Sequence, residues 1–360
     1  MKNKNNNMKI IFVIPSMTGG GAERVISVLA NEFAGRGIKT KILMTAGNEC
    51  VYNLNPQIEL FQAGEKTGGK IVKRISRVKA MRQYFRKNRD GILITFESDA
   101  AFFCCIAKIG LHMPMVSSER NDPASFGNDR VRKIAYKISD RVVFQTEGAK
   151  NYFPMKIQMK GRIIENPVRD DLPQTYMGKR KKTIACVGRF EKQKNHKMLL
   201  YAFEKFAEKH PEYTLHLYGK GSLENEIREF ANQLGIAEKV IFEGFKKNII
   251  SCIIDAGMFV LSSDYEGIPN SLLEAMAIGL PVISTDCPCG GAALCIQNEV
   301  NGYLIPVGDA TALTAVMEKI ANSEALANKL GRAASEVRNT FSVQKIVEKW
   351  MEILAELKKE

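Results

Sequence analysis

The sequence contains no apolar run approaching the roughly 20 residues that a helix needs to cross a bilayer. Its longest candidate, AAFFCCIA, ends at Lys108. The run IIFVIP behind Lys2, Lys4 and Lys9 is too short for a secretory leader and meets a glycine-rich turn at once, so it reads as a first strand. Cysteine is thinly spread: eight residues without a CxxC pair. The cluster Cys287, Cys289 and Cys295 lacks zinc-ligand spacing, so no metal site and a reduced, cytoplasmic setting are expected. Cys104 and Cys105 sit in an apolar run and read as packed small hydrophobes. Acidic residues are in deficit, 39 against 52 Lys and Arg, and the net charge of +13 favours anionic partners. Those are nucleotide phosphates, acidic lipid headgroups or nucleic acid. No motif interleaves aromatics with the basic residues, which argues against specific nucleic-acid recognition.

What is present is an ordinary globular composition, 45% hydrophobic and 25% charged, over 360 residues. That length exceeds what one core usually fills, so two domains are expected. Short apolar, β-branched runs alternate with amphipathic helical segments, the pattern of parallel α/β layers. The alternation spans residues 8–168, is interrupted by a polar, proline-containing stretch at 169–182 that reads as a linker, and resumes over 183–341. A closing helix within 342–360 is expected to cross back to the first domain. The fold class is therefore α/β, with two Rossmann-like parallel-sheet domains.

Three loops carry candidate chemistry. Between the strand-like runs Met258–Ser263 and Pro281–Thr285 lies a loop and a helix that hold Glu266 and Glu274. In an open parallel sheet such a loop lines the ligand crevice. Ser271 followed by Glu274 has capping-box spacing, so Glu274 has a purely structural reading as well, and Glu266 reads equally as a solvated loop carboxylate. Gly279 closes the helix. After the first strand of the second half, VGRFEKQKNH places Arg189 at a strand end and Lys194 just before a helix. Fixed cations there suit a leaving diphosphate, whose charge grows as its bond breaks. After the first strand of the chain, Gly19, Gly20 and Gly21 permit close backbone approach and a helix N-terminus offers amides to an anion. A dinucleotide fingerprint needs a third glycine where Arg24 stands, which removes the best support for a nicotinamide or flavin site.

These strings, EGIPNSLLEAMAIGLPVI with seven residues between Glu266 and Glu274, GR…K with Arg189 and Lys194, and GGGAERV, resemble the retaining glycosyltransferases of the GT4 type. The resemblance implies the GT-B fold, two α/β halves facing across a cleft, and hexosyl or N-acetylhexosaminyl transfer from a nucleotide sugar, UDP-linked by preference. It implies that Glu266 sits against the donor sugar, Glu274 binds the ribose, and Arg189 and Lys194 hold the diphosphate. Gly20 and Gly21 then lie near the diphosphate. Gly219, Gly244 and Phe245 at two further strand ends read either as contacts for the base or as ordinary turn residues. Gly267, Ile268, Pro269 and Asn270 shape the sugar pocket. No Asp-x-Asp pair occurs near a strand end, in agreement with a metal-free, cofactor-free site. The histidine that many relatives place in the first domain has no counterpart at a matching strand end. Glu119, Arg120 or Glu97 takes the acceptor side instead, with Arg120 grouped with Glu266, Arg189 and Lys194 as the catalytic set.

Residues Lys66 to Arg89 carry ten basic residues, with Ile71, Ile75, Val78 and Phe85 near one helical face. This basic amphipathic helix is expected either to cover its own core or to dock on an anionic membrane. The resemblance favours a lipid-linked saccharide acceptor at the inner face of a bacterial cell membrane, within surface-polysaccharide or glycan-precursor synthesis. A sugar-nucleotide epimerase and a non-catalytic nucleotide-sugar-binding membrane scaffold are the rival readings.

Overall fold

The structure, a computed structural model, describes residues 8–47, 49–64, 69–125 and 129–358. The chain divides into two units, one running to Pro167 and completed by the segment from Val343, the other Val168–Ser342.

The first unit is built on strands β1 (Lys9–Ile14), β2 (Lys39–Met44), β3 (Glu59–Gln62), β4 (Gly91–Phe96), β5 (Met115–Ser118), β6 (Arg141–Phe144) and β7 (Gly161–Ile163). They form one sheet in the order β3-β2-β1-β4-β5-β6-β7, and every pairing is parallel. β1 and β4 are nearly continuous in apolar residues because helices cover both faces of the sheet. The helix Gly21–Gly35 buries Val25, Ile26, Leu29, Ala30 and Phe33, the i, i+4, i+8 stripe of an amphipathic helix. Phe33 stacks on Phe12 of β1 at 6.1 Å.

The closing helix Val343–Leu357 repeats this logic, with Val343, Ile346, Val347, Trp350, Ile353, Leu354 and Leu357 all buried. It lies against the helix Gly21–Gly35, and Trp350 stacks on Phe96 of β4 at 6.1 Å. Its polar side is tied down at the rim: Arg36 meets Glu348 and Lys349 meets Glu165, both at 2.6 Å. The last residues of the chain thus complete the core of the first unit.

The second unit carries β8 (Thr183–Val187), β9 (Thr214–Tyr218), β10 (Val240–Gly244), β11 (Met258–Leu261), β12 (Val282–Thr285) and β13 (Tyr303–Ile305). Their order is β10-β9-β8-β11-β12-β13, again parallel throughout. In each sheet the first strand of the unit is central, and the chain winds outward from it first to one side and then to the other.

The stretch 169–182 is packed into the second unit rather than strung out as a connector. The Tyr176 amide donates to the Ile278 carbonyl at 3.0 Å. Arg180 donates to the carbonyls of Gly279 and Ala256, and Arg338 to those of Ala277 and Pro173. The stretch reads as a linker in the sequence because the carbonyls that Arg180 satisfies lie 76 and 99 residues away and leave no local trace. Among the described residues no helix is long and apolar enough to cross a membrane.

Trp350→Ala should destabilise the first unit by about 3–5 kcal/mol, the usual cost of removing a fully buried large aromatic. Urea unfolding should show a lower midpoint at unchanged slope, and a loss under about 1 kcal/mol would show that the closing helix is not part of this core.

Candidate functional site

The reversal of strand order in the second sheet falls between β8 and β11. The loops that leave the carboxyl ends of these two neighbouring strands diverge to opposite faces and open a crevice between them. One loop runs from Gly188 to Asn195, the other from Ser262 to Pro269. The structure therefore brings Arg189, Lys194 and Glu266 to one end of one sheet, although up to 77 residues separate them in the chain.

Lys194 Nζ and the Glu266 carboxylate form a direct ion pair, with 14% and 10% of their side-chain surfaces exposed. Ser263 donates a hydroxyl bond to the same carboxylate at 2.7 Å. The two loops are laced together beneath the pair. Ser262 donates to the Lys194 carbonyl at 2.8 Å, Gln193 to the Tyr265 carbonyl at 2.8 Å, and Asn195 to Asp264 at 2.6 Å. Thr285 at the end of β12 donates to the Ser263 carbonyl at 2.5 Å. Asn195 adopts φ +42° and caps the helix His196–Lys209 through the Met198 amide; asparagine tolerates this left-handed turn better than other non-glycine residues. Arg189 is exposed at the mouth of the same loop.

The neighbouring strand ends are shaped by glycine. Gly219 has φ +149°, and a Cβ there would run into the Gly188 carbonyl. Its amide donates to the Gly244 carbonyl at 3.0 Å, which fixes the ends of β9 and β10 beside β8. Gly244 is left-handed at φ +68°, and Phe245 beyond it is 54% exposed. Gly267 packs its carbonyl against Gly291, where any side chain would collide. Ile268 is buried, Pro269 caps the helix Asn270–Ala277, and Asn270 is its first residue.

Ser271 is not the cap. The helix begins one residue earlier and Ser271 lies inside it, because proline is favourable at the very start of a helix and fixes the backbone there. Glu274 is buried and ion-paired to Arg169 at 3.3 Å, so its carboxylate is held by a cation from the 169–182 stretch. Sequence reasoning missed Arg169 for want of any local signal; Ser263, three residues before Glu266, was within reach of it.

Just behind Lys194 the His196 ring is buried, with neither nitrogen hydrogen-bonded, and its edge faces Phe190 at 5.1 Å. Burial, and to a lesser degree the Lys194 charge, lowers its pKa to about 4, so the imidazole is neutral at physiological pH. Cys287 donates to the Ser263 carbonyl at 3.3 Å, and burial pushes its thiol up to about 12. It serves as a hydrogen-bond donor, not a nucleophile.

In the first unit Glu119 and Arg120 are buried or half-buried, whereas Gly20, Gly21 and Glu97 are exposed. Ser16 and the Gly19 and Gly20 amides all donate to the Glu23 carboxylate, at 2.6, 2.6 and 2.9 Å. The amides expected to face an anion beside Gly20 and Gly21 are thus taken up by the loop's own carboxylate, which an arriving anion has to displace. Glu119 is buried, accepting from Tyr136 at 3.1 Å and facing Arg132 at 3.5 Å, and burial raises its pKa despite that arginine. Arg120 is stacked over Phe96 at 4.6 Å and donates to Ser118 and Asn166. Glu97 follows β4 with φ +73°, a conformation that costs a non-glycine residue on the order of 1–3 kcal/mol, at the order reversal of the first sheet. Of the basic stretch, residues 66–68 lie outside the described residues, and Lys70–Lys87 forms one helix. Phe85 is buried, while Ile71 and Ile75 are exposed.

Residues 169–337 match the family described as glycosyl transferases group 1. The match takes in nearly all of the second unit, and both units are Rossmann-like parallel-sheet domains with structural neighbours among GT-B glycosyltransferases. Over nearly its whole length the chain is similar to a glycosyltransferase of Haemophilus influenzae, 25% identical over 95% of this chain and 98% of the relative. It is 26% identical, over 98% of this chain and 99% of the relative, to a Campylobacter jejuni enzyme. That enzyme is named GalNAc-alpha-(1->4)-GalNAc-alpha-(1->3)-diNAcBac-PP-undecaprenol alpha-1,4-N-acetyl-D-galactosaminyltransferase. Anabaena HepE, solved with UDP and glucose, superposes with a TM-score of 0.83 at 17% identity, covering 97% of this chain and 99% of that one.

The buried His196 makes stability depend on pH. Its pKa lies below the ordinary 6.5 in the folded state, so the unfolded chain binds the proton more readily. The stability it contributes is intact above pH 6.5 and is lost as pH falls toward and through 4, by about 3 kcal/mol in all. Denaturant unfolding of wild type and His196→Phe between pH 7 and 4 should show this slope only in the wild type. Equal slopes would mean that the ring is solvated.

Proposed function

We propose that the protein is a retaining, metal-independent glycosyltransferase that moves a hexose or N-acetylhexosamine from a nucleotide sugar, a UDP-sugar by preference, to a lipid-linked saccharide. The observation that carries this reading is the Lys194–Glu266 ion pair at the order reversal of a glycosyltransferase group 1 domain. A lysine beside a carboxylate that Ser263 also holds suits a donor whose diphosphate takes over the lysine and leaves the carboxylate beside the sugar. Arg189, exposed at the same loop, is the second cation for the diphosphate. As the glycosidic bond breaks, charge accumulates on the leaving phosphate, and fixed cations stabilise the transition state more than the ground state. That phosphate then accepts the proton of the acceptor hydroxyl on the face it has just left, which preserves the anomeric configuration.

In this reading Glu274 binds the ribose, with Arg169 setting its orientation, and Gly219, Gly244 and Phe245 border the base. Gly267 to Asn270 shape the sugar pocket. Gly20 and Gly21 approach the diphosphate once Glu23 yields. On the acceptor side Arg120 is the candidate, with Glu119 as the buried support of its strand end. The UDP preference is supported by HepE, solved with UDP, and a lipid-diphosphate acceptor by the name of the Campylobacter enzyme. The basic helix is proposed to dock on the anionic inner face of the membrane, each surface Lys or Arg contributing about 1 kcal/mol.

Titration with UDP, GDP and their sugars in EDTA should give selective UDP binding, and the absence of any nucleotide binding would remove the donor-site assignment. Lys194→Ala should lower turnover by about two orders of magnitude with a smaller change in donor KM; near-normal turnover would reassign the phosphate site. Glu274→Gln keeps the side chain's shape and should weaken nucleotide binding about tenfold. A lowered melting temperature at unchanged affinity would instead make the Arg169 pair purely structural. Product NMR should show the donor's anomeric configuration retained.

A further inference from the structure

A groove of about 420 Å³ lies on the first unit between the helices Ser98–Ala107 and Asp129–Ile138. Its walls are Phe102, Ile106, Ile109, Ile134 and Ile138. Ile109 is 65% exposed, Ile134 50% and Ile138 48%. Single exposed aliphatics are ordinary; here three of them lie together around one apolar groove. The floor is closed by Cys105, whose thiol reaches the Ala135 carbonyl.

The surroundings of the groove are basic. The helix Lys70–Lys87 packs on the helix Ser98–Ala107 and carries eight Lys or Arg and no Asp or Glu. Arg82 of that helix donates to the carbonyls of Ala107 and Ile109, at 3.1 and 2.6 Å, on the lip of the groove. Arg77 lies over the Phe103 ring at 4.8 Å. Two nearby carboxylates are paired within the unit, Asp140 with Lys108, and Asp129 with Arg132 and Lys133; Asp99, at the start of the helix Ser98–Ala107, interacts with Arg77. Ile71 and Ile75, 73% and 64% exposed, add apolar surface at the start of the basic helix.

We propose that this groove takes one hydrocarbon chain of an anionic membrane lipid, whose headgroup lies over the basic helix. The inference rests on the membrane docking proposed above and goes beyond it by assigning the apolar half of the contact to residues outside the basic helix. A chain with an anionic head satisfies both halves of the surface at once. Methylenes fill the groove, each one adding to the apolar surface removed from water, and the phosphate meets cations that have no carboxylate partners on their own helix. Electrostatic attraction is screened by salt and apolar insertion is not, so the two contributions separate experimentally.

The test uses the full chain and vesicles of phosphatidylcholine with and without phosphatidylglycerol, at low and high salt. Ile109→Gln/Ile138→Gln changes only exposed positions and should reduce partition into anionic vesicles at least tenfold, abolishing the fraction that survives high salt. A second variant, Ile109→Trp, should be quenched by lipids brominated along the chain; the native Trp350 is fully buried and is expected to stay unquenched. If the double variant binds like wild type and the new tryptophan is not quenched, the groove assignment is overturned while docking by the basic helix stands. If wild type binds no vesicle, both fall, and nucleotide binding still decides the transferase reading on its own. A change in sedimentation-velocity mass on mutating the groove would show that a second copy covers it, which also overturns the lipid as occupant.

Discussion

A lysine and a glutamate held face to face at the order reversal of the second sheet set the conditions that the surrounding structure meets. Bringing such a pair out of water costs several kcal/mol per ion, recovered only if geometry is good and the remaining lone pairs are satisfied. Ser263 supplies the extra hydrogen bond to Glu266, and the two loops carrying the charges are tied by Ser262, Gln193 and Asn195. The third strand contributes Thr285 beneath Ser263. Loops built this way are positioned by the sheet rather than by their own preferences, which suits a site that has to keep its shape while a ligand exchanges partners.

The first unit handles buried charge differently. Its interior carboxylates near candidate loops are taken up within the unit: Glu23 by backbone amides, Glu119 by Tyr136 and Arg132, and Asp122 by the Ala124 amide and Ser125. They stabilise loop shape and are poor candidates for direct chemistry. Glu97 stands apart, since its positive φ has no glycine to relieve it and it sits where the first sheet reverses order. Strain retained at such a point is a reason to look for function there.

The architecture was legible because it depends on local periodicity: apolar runs such as GILITF and helical stripes such as that of Val343–Leu357 state their own structure. The gathering of Arg189, Lys194 and Glu266 at one sheet end could be anticipated because strand ends and parallel order locate loops without any knowledge of side-chain contacts. What escaped were pairings of long sequence separation. Arg169 with Glu274, and Arg180 with the Gly279 carbonyl, turned a stretch that looked solvated into packed structure. The capping reading of Ser271 failed for a local reason, since a proline two positions earlier takes the same role.

The excess positive charge resolves into two arrangements with different physics. Lys194 is a single, mostly buried cation held by hydrogen-bonded loops, so its interaction with an anion is weakly screened and geometrically selective. The helix Lys70–Lys87 presents many exposed cations without fixed partners on its own length, and its attraction is long-ranged, additive and sensitive to salt. In the proposed function the first arrangement discriminates among phosphates, and the second concentrates the protein near an anionic surface. Assigning recognition to the sparse buried charge and delivery to the dense exposed charge explains why one chain carries both.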